Sequence, residues 1–121
     1  MIMKVLVCED DMIAHKVIQV ALEKYNAEVI GVSDGRKALQ FLKDNTVDLI
    51  ITDIHMPYFN GDDILRLVRQ DQNKNTPIIM ISSDTQEEVI TLALKSGVSD
   101  FIKKPIDAIG LEKRLKKFLA S

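Results

Sequence analysis

The sequence predicts an α/β fold: a doubly wound, three-layer (βα)5 sandwich around an open parallel sheet. Two observations predict it. Short β-branched apolar runs recur at 5–8, 29–32, 49–52, 78–81 and 101–102, and continuous apolar runs of that length suit strands buried on both faces. Longer stretches with helical apolar spacing separate and follow them. Right-handed crossovers then distribute the helices over both faces of the sheet.

The first helix is predicted over 12–25, where Ala14, Val17, Ile18, Ala21 and Leu22 fall at i, i+3, i+4, i+7 and i+8 and form one apolar face. Ser33, Asp34 and Gly35 open the second, whose buried face is Ala38, Leu39, Phe41 and Leu42. The third runs from about Asp62 to Gln70, with Ile64, Leu65, Leu67 and Val68 inward. Ser83, Asp84 and Thr85 are expected to cap the fourth, because their side-chain oxygens can accept from free first-turn amides. That helix stops near Ser96 and Gly97, where glycine can take the left-handed conformation. The fifth begins at Asp107 and runs almost to the end, with Leu111, Leu115, Phe118 and Leu119 facing the core.

The 121 residues suit a single domain, 1–121, and no repeat, low-complexity stretch or linker divides them. Hydrophobic residues make up 46% and charged residues 28%, too apolar for a disordered chain. A net charge of -2 argues against a nucleic-acid binder. The basic residues Lys113, Arg114, Lys116 and Lys117 read as a solvated or protein-docking face. No run reaches the roughly 18 apolar residues of a membrane span, the start lacks the features of a signal peptide, and a single cysteine fits a cytoplasmic location.

In open parallel sheets the functional crevice lies beyond the carboxyl ends of the strands. Glu9, Asp10 and Asp11 follow the first run, Asp53 the third, Ser82 and Ser83 the fourth, and Lys103, Lys104 and Pro105 the fifth. Glu9, Asp10 and Asp53 crowded on one rim would repel, since two unit charges 4 Å apart cost roughly 4 kcal/mol at an effective dielectric of 20. Such a cluster calls for a cation, and hard oxygen ligands favour Mg²⁺ or Mn²⁺. Lys104 adds positive charge, and Ser82 can donate to an anion held there. Taken singly, each residue has an ordinary reading: a solvated loop acid, a turn aspartate, a cap, a surface lysine. Their joint placement at strand ends is what points to a site.

Other chemistries are excluded by the same rim. The sequence has no G-x-x-x-x-G-K-[ST] loop, no G-x-G-x-x-G after the first run, no G-x-S-x-G elbow and no C-x-x-C pair. His15 and His55 are too isolated to argue a zinc site, and Cys8 ends a buried strand as a core thiol.

These residues resemble the receiver domain of two-component response regulators, in its stand-alone, chemotaxis-regulator-like form. The likeness spans Lys4 to Leu119. It rests on Val5-Leu6-Val7-Cys8-Glu9-Asp10-Asp11, on Thr52-Asp53-Ile54-His55-Met56-Pro57, on Gly61, on Ile78-Ile79-Met80-Ile81-Ser82 and on Phe101-Ile102-Lys103-Lys104-Pro105. Departures are small: Ser82 stands where threonine is commoner, Ser83 where alanine or glycine is frequent, and Lys103 adjoins Lys104.

The resemblance implies a flavodoxin-like fold with strand order 2-1-3-4-5 and a phosphorylation-dependent signalling switch. Asp53 would be the phosphoacceptor, taking a phosphoryl group from a phosphohistidine of a sensor kinase or phosphotransfer protein. Mg²⁺ would be held by Glu9, Asp10, Asp53 and the backbone carbonyl of His55, with Glu9 acting mostly through water. Lys104 would pair with Asp53 and then with the phosphoryl group, which Ser83 and His55 would surround. Ser82 and Phe101 would be the switch pair, the ring turning inward and altering the surface of helix four, strand five and helix five. Uptake and hydrolysis would be self-catalysed, not those of a conventional enzyme; His55 and Asp84 overhang the phosphoryl group and would orient the hydrolytic water, with shielding of the group from water as the alternative. Partners implied are the phosphodonor, packed against Ile13 and Ile106, and a downstream protein target or fused output domain. Self-association through helix four, strand five and helix five is a further contact of that kind; direct nucleic-acid or membrane binding is not expected. Two other classes compete: a receiver-like interaction domain that is never phosphorylated, and an Mg-dependent aspartyl phosphatase. The second would want another acid two residues after the nucleophile, where this chain has His55.

Overall fold

The structure, a computed structural model, describes residues 2–56, 58–83 and 86–119. Five parallel strands, β1 (Lys4–Cys8), β2 (Glu28–Val32), β3 (Leu49–Asp53), β4 (Ile78–Ser82) and β5 (Asp100–Lys103), lie in the order β2-β1-β3-β4-β5. Each strand extends the apolar run that announced it by one or two residues. The helices are α1 (Met12–Glu23), α2 (Gly35–Asp44), α3 (Gly61–Arg66), α4 (Glu87–Lys95) and α5 (Ala108–Leu119).

Alternation along the strands splits the core in two. Val5, Val7, Leu49, Ile51, Ile79 and Ile81 pack with Ile18 and Leu22 of α1 and Leu111 and Leu115 of α5. Leu6, Ile50, Ile78 and Met80 face the other way, onto Leu42 of α2, Ile64 and Leu65 of α3, and Ala93 of α4. Both faces of the three central strands are therefore covered, which explains why their sequences are apolar without alternation.

Asp11 opens α1, its Oδ1 accepting from the amides of Ile13 and Ala14 at 3.0 and 3.4 Å. Asp34 does the same for α2 through the Lys37 amide at 2.8 Å. α1 ends at Glu23, two residues before expected, and α5 starts at Ala108, one residue late; the larger differences are at α3 and α4. α3 begins one residue earlier, behind a reciprocal cap in which Asn60 and Asp63 each accept from the other's amide. It ends at Arg66, and the chain continues as a π-helical turn, Leu67–Asp71. Val68 stays buried through that change of winding, so the apolar spacing could not distinguish the two. At α4, Gln86 occupies the N-cap position and makes no side-chain cap bond. Ser83 lies too far upstream to cap the helix, and Asp84 and Thr85 lie outside the described residues. The far end of α4 matches expectation, with Gly97 at φ +108° after the Ser96 cap.

The loop after β3 closes on the start of α2. Arg36 lies 4.3 Å from the centre of the Tyr58 ring, and a Cβ placed on Gly35 would stand 1.8 Å from the Phe59 carbonyl oxygen. Alanine ordinarily stabilises a helix by about 1 kcal/mol over glycine. Here the clash is with backbone and reverses the sign. Gly35→Ala is expected to lower unfolding stability by roughly 1–3 kcal/mol, whereas Gly110→Ala in α5 leaves it unchanged or raises it; paired urea melts read both.

Candidate functional site

The registers Cys8↔Thr52, Asp53↔Ile81 and Ser82↔Lys103 bring the carboxyl ends of β1, β3, β4 and β5 to one rim. There the carboxylates of Glu9, Asp10 and Asp53 each offer an oxygen within 4.8 Å of the others. Glu9 and Asp53 are buried, and Asp10 is exposed at the mouth.

Each buried acid is held by named donors. Glu9 Oε1 accepts from the Asp11 amide at 2.9 Å and from Lys104 Nζ at 3.1 Å. Asp53 Oδ1 accepts from the His55 amide at 2.9 Å, and its Oδ2 accepts from Lys104 Nζ at 2.5 Å. Lys104 reaches this position from the loop after β5, where its amide donates to the Ser82 carbonyl at 2.9 Å. Its neighbour Lys103 is exposed.

Three carboxylates against one ammonium leave the pocket negative. Burial pushes the Glu9 carboxyl up to about 7; the Asp11 amide works against that rise, the Asp53 charge adds to it, and Lys104 opposes it. Burial works to lower the Lys104 ammonium, yet its bonds to Asp53 and Glu9 outweigh it and hold the group above its ordinary value. Glu9 Oε2 is buried with no hydrogen-bond partner among the described residues. A buried, unsatisfied carboxylate oxygen beside two further acids is the donor set of a hard divalent cation.

The remaining candidates are placed as follows. Ser82 is fully buried at the end of β4, and Ser83 is exposed beside it. Ser83 borders a groove of about 320 Å³ whose other walls include Ile13, Lys104, Pro105 and Ile106. The side chain of His55 is exposed, while its amide holds Asp53. Phe101 is buried against the α4 side of the sheet. Asp84 lies outside the described residues.

Two residues at the site escaped the sequence reading. Thr52, buried within β3, donates its hydroxyl to the Asp53 carbonyl at 2.9 Å; a polar residue inside a buried apolar run was the available signal. His15, set aside for lack of neighbouring ligands, has Nδ1 3.2 Å from the Glu9 carbonyl. Cys8 behaves as an inert core thiol, its pKa pushed up to about 12 by burial.

Comparison with known proteins identifies the family of the fold. The response regulator receiver domain pattern matches residues 5–116. Response regulator ArlR of Staphylococcus saprophyticus is 38% identical over 118 residues, 96% of this chain and 52% of ArlR. Chemotaxis protein CheY-3 of Vibrio cholerae is 32% identical over 117 residues, 95% of this chain and 90% of CheY-3. The solved structure of the chemotaxis response regulator CheY4 of Vibrio cholerae superposes with a TM-score of 0.87 at 31% identity, covering 98% of this chain and 100% of that one. Among longer relatives the chain spans about half of ArlR and only 16% of a Vibrio cholerae sensor kinase/phosphatase. The chain belongs to the response regulator receiver domain family.

Proposed function

We propose that the chain is a phosphorylation-dependent switch that accepts a phosphoryl group on Asp53. The observation that carries the reading is the Lys104 ammonium, which bridges Asp53 and Glu9 inside a buried acidic pocket. Phosphoryl transfer asks the protein for an aligned nucleophile and for positive charge around the transferred oxygens. An Asp53 oxygen attacks phosphorus of a phosphoimidazole on a sensor kinase or phosphotransfer protein; the P–O bond forms as the P–N bond breaks, and the departing imidazole takes its proton from solvent. Lys104 then faces the phosphoryl oxygens instead of the free carboxylate. Ser82, at the end of the neighbouring strand, is the hydroxyl nearest in topology to follow the added charge.

Mg²⁺ fits the pocket, and Mn²⁺ fits the same hard donors. The carboxylates of Glu9, Asp10 and Asp53 and the backbone carbonyl of His55 would hold it. Bound there, it supplies positive charge to the phosphoryl oxygens. The output is a changed surface over α4, β5 and α5, read by a downstream protein or a fused domain, or by a second copy of the chain. Taking its phosphoryl group from donors of this class would put the chain in the cytoplasm.

The direct test is incubation with acetyl phosphate and Mg²⁺. A gain of about 80 Da, one phosphoryl group, is expected on Asp53 and is lost in Asp53→Ala. An adduct that survives that substitution sinks the assignment, and no adduct at all favours an interaction domain that is never phosphorylated.

Electrostatics gives a second expectation. A carboxyl whose folded pKa is raised stabilises the fold below its unfolded value, and that contribution is lost as pH rises through the folded value. For Glu9 the window runs from about 4.5 to about 7. The metal-free protein should therefore lose on the order of 2–3 kcal/mol of stability across it relative to Glu9→Gln, and millimolar Mg²⁺ at pH 7 should restore stability in the wild type. Identical pH profiles for the two proteins, measured by urea unfolding, would refute it.

The groove beside Lys104 gives a third. Ile13 is exposed on α1, and with Pro105 and Ile106 it lines an apolar approach to the pocket, suited to the phosphodonor. Ile13→Glu is expected to slow transfer from a phosphohistidine protein at least several-fold while sparing acetyl phosphate labelling. Equal loss with both donors would place the damage in the pocket itself.

A further inference from the structure

His15 sits on α1 facing back toward the end of β1, between the Glu9 carbonyl and the bare backbone of Gly31. Its Nδ1 lies 3.2 Å from the Glu9 carbonyl oxygen. A carbonyl only accepts, so Nδ1 carries the proton. Across the ring lies β2: a Cβ on Gly31 would stand 2.5 Å from Nε2 and 2.7 Å from Cε1. The ring therefore rests on strand backbone that only glycine leaves bare. Gly31 pairs with Val7 in β1, two residues before Glu9, so the floor under the imidazole belongs to the strand paired with the one that leads into Glu9.

Glu9 is consequently anchored through its main chain at both ends. Its amide donates to the Val32 carbonyl at 3.1 Å, and its carbonyl accepts from His15. That carbonyl belongs to the peptide joining Glu9 to Asp10, and a peptide unit is planar. Holding its oxygen fixes the direction in which both acids leave the backbone. One of them aims a buried, unpartnered Oε2 into the pocket.

We infer that His15 is a positioning residue for the cation site: wedged between Gly31 and the Glu9 carbonyl, it locks the Glu9–Asp10 peptide so that both carboxylates converge with that of Asp53. The inference rests on the cation-holding role proposed above for Glu9 and Asp10. It uses only the Nδ1–H, which neutral imidazole and imidazolium both possess, so it requires no titration of the histidine.

Three substitutions test it in the full chain, with Mg²⁺ alone as the probe and calorimetry as the readout. His15→Ala removes the donor, and outer partners of metal ligands are typically worth 10- to 100-fold in affinity. We expect Mg²⁺ affinity to fall about 10-fold. His15→Asn places an amide nitrogen where Nδ1 stood and should retain most of the affinity. Gly31→Ala should displace the ring toward the cavity of about 220 Å³ lined by Glu9, Asp10 and Met12, and weaken binding in the same direction. Combining it with His15→Ala should add nothing, because the methyl then occupies the space of the ring. In acetyl phosphate labelling, His15→Ala should raise the Mg²⁺ concentration needed for half-maximal rate while leaving the rate at saturating Mg²⁺ nearly unchanged. Wild-type affinity in His15→Ala overturns the inference, as does an equal loss in His15→Ala and His15→Asn. Should His15→Ala fail to fold, His15→Asn and Gly31→Ala still decide: the inference requires the first to keep its affinity and the second to lose it. A wild-type chain that binds no Mg²⁺ overturns the cation reading as well, which separates the two failures.

Discussion

One ammonium between two buried carboxylates organises the functional end of this molecule. Lys104 bonds Asp53 and Glu9 at once, and it can do so only because β1 and β3 are adjacent in the sheet and β5 ends on the same rim. A buried ion pair with its remaining lone pairs satisfied repays its desolvation; an extra unpaired charge does not. Here the count is uneven, with three acids sharing one lysine. The result is a pocket electrostatically incomplete by design of its backbone, in which Glu9 titrates near neutrality. On the proposed reading, a dication would complete it, and a phosphoryl group on Asp53 would exchange one anion for another facing the lysine.

How much of this was legible before the structure follows from what each signal measures. The strands were legible because burial on both faces removes polar residues altogether, and Leu49, Ile50 and Ile51 are all fully buried. The rim was legible because topology alone assigns strand ends to one edge. Helix boundaries were less so. The π-helical turn after Arg66 keeps Val68 inside, so an α-helical period fits the sequence equally well. The start of α4 was misplaced because cap-forming residue types crowd positions 83–85 while the helix begins after Gln86. His15 was invisible for a different reason. Its partners are a carbonyl and a glycine, and neither leaves a mark in a search for clustered ligands.

The two faces of the sheet divide the labour that such a switch needs. On one face α1 and α5 contact each other and share a core, and α1 carries both the cap Asp11 and His15 within its first turns. That face supplies rigidity where the acids must converge. On the other face α4 covers the sheet with Ala93 as its buried residue, a light attachment compared with Ile18, Ala21 and Leu22 on α1.

What keeps α4 in place is concentrated at its far end. The Arg69 guanidinium, on the π-helical turn, donates to the Gly97 carbonyl through Nε and Nη2 at 3.3 and 3.0 Å and to the Lys74 carbonyl through Nη1 at 3.0 Å. A planar guanidinium making several bonds at once is a stiff connector. It fastens the exit of α4 to the exit of α3, away from the acidic rim. The acidic rim lies toward the opposite end of α4, at the end of β4, whose last residue Ser82 is buried beside Asp53's strand. α4 is thus held to the sheet by buried Ala93 with half-buried Val89 and Ile90, and fastened by Arg69 at the end away from the rim. The π-helical turn itself carries Arg69, so the change of winding at 67–71 and the fastening of α4 belong to one segment.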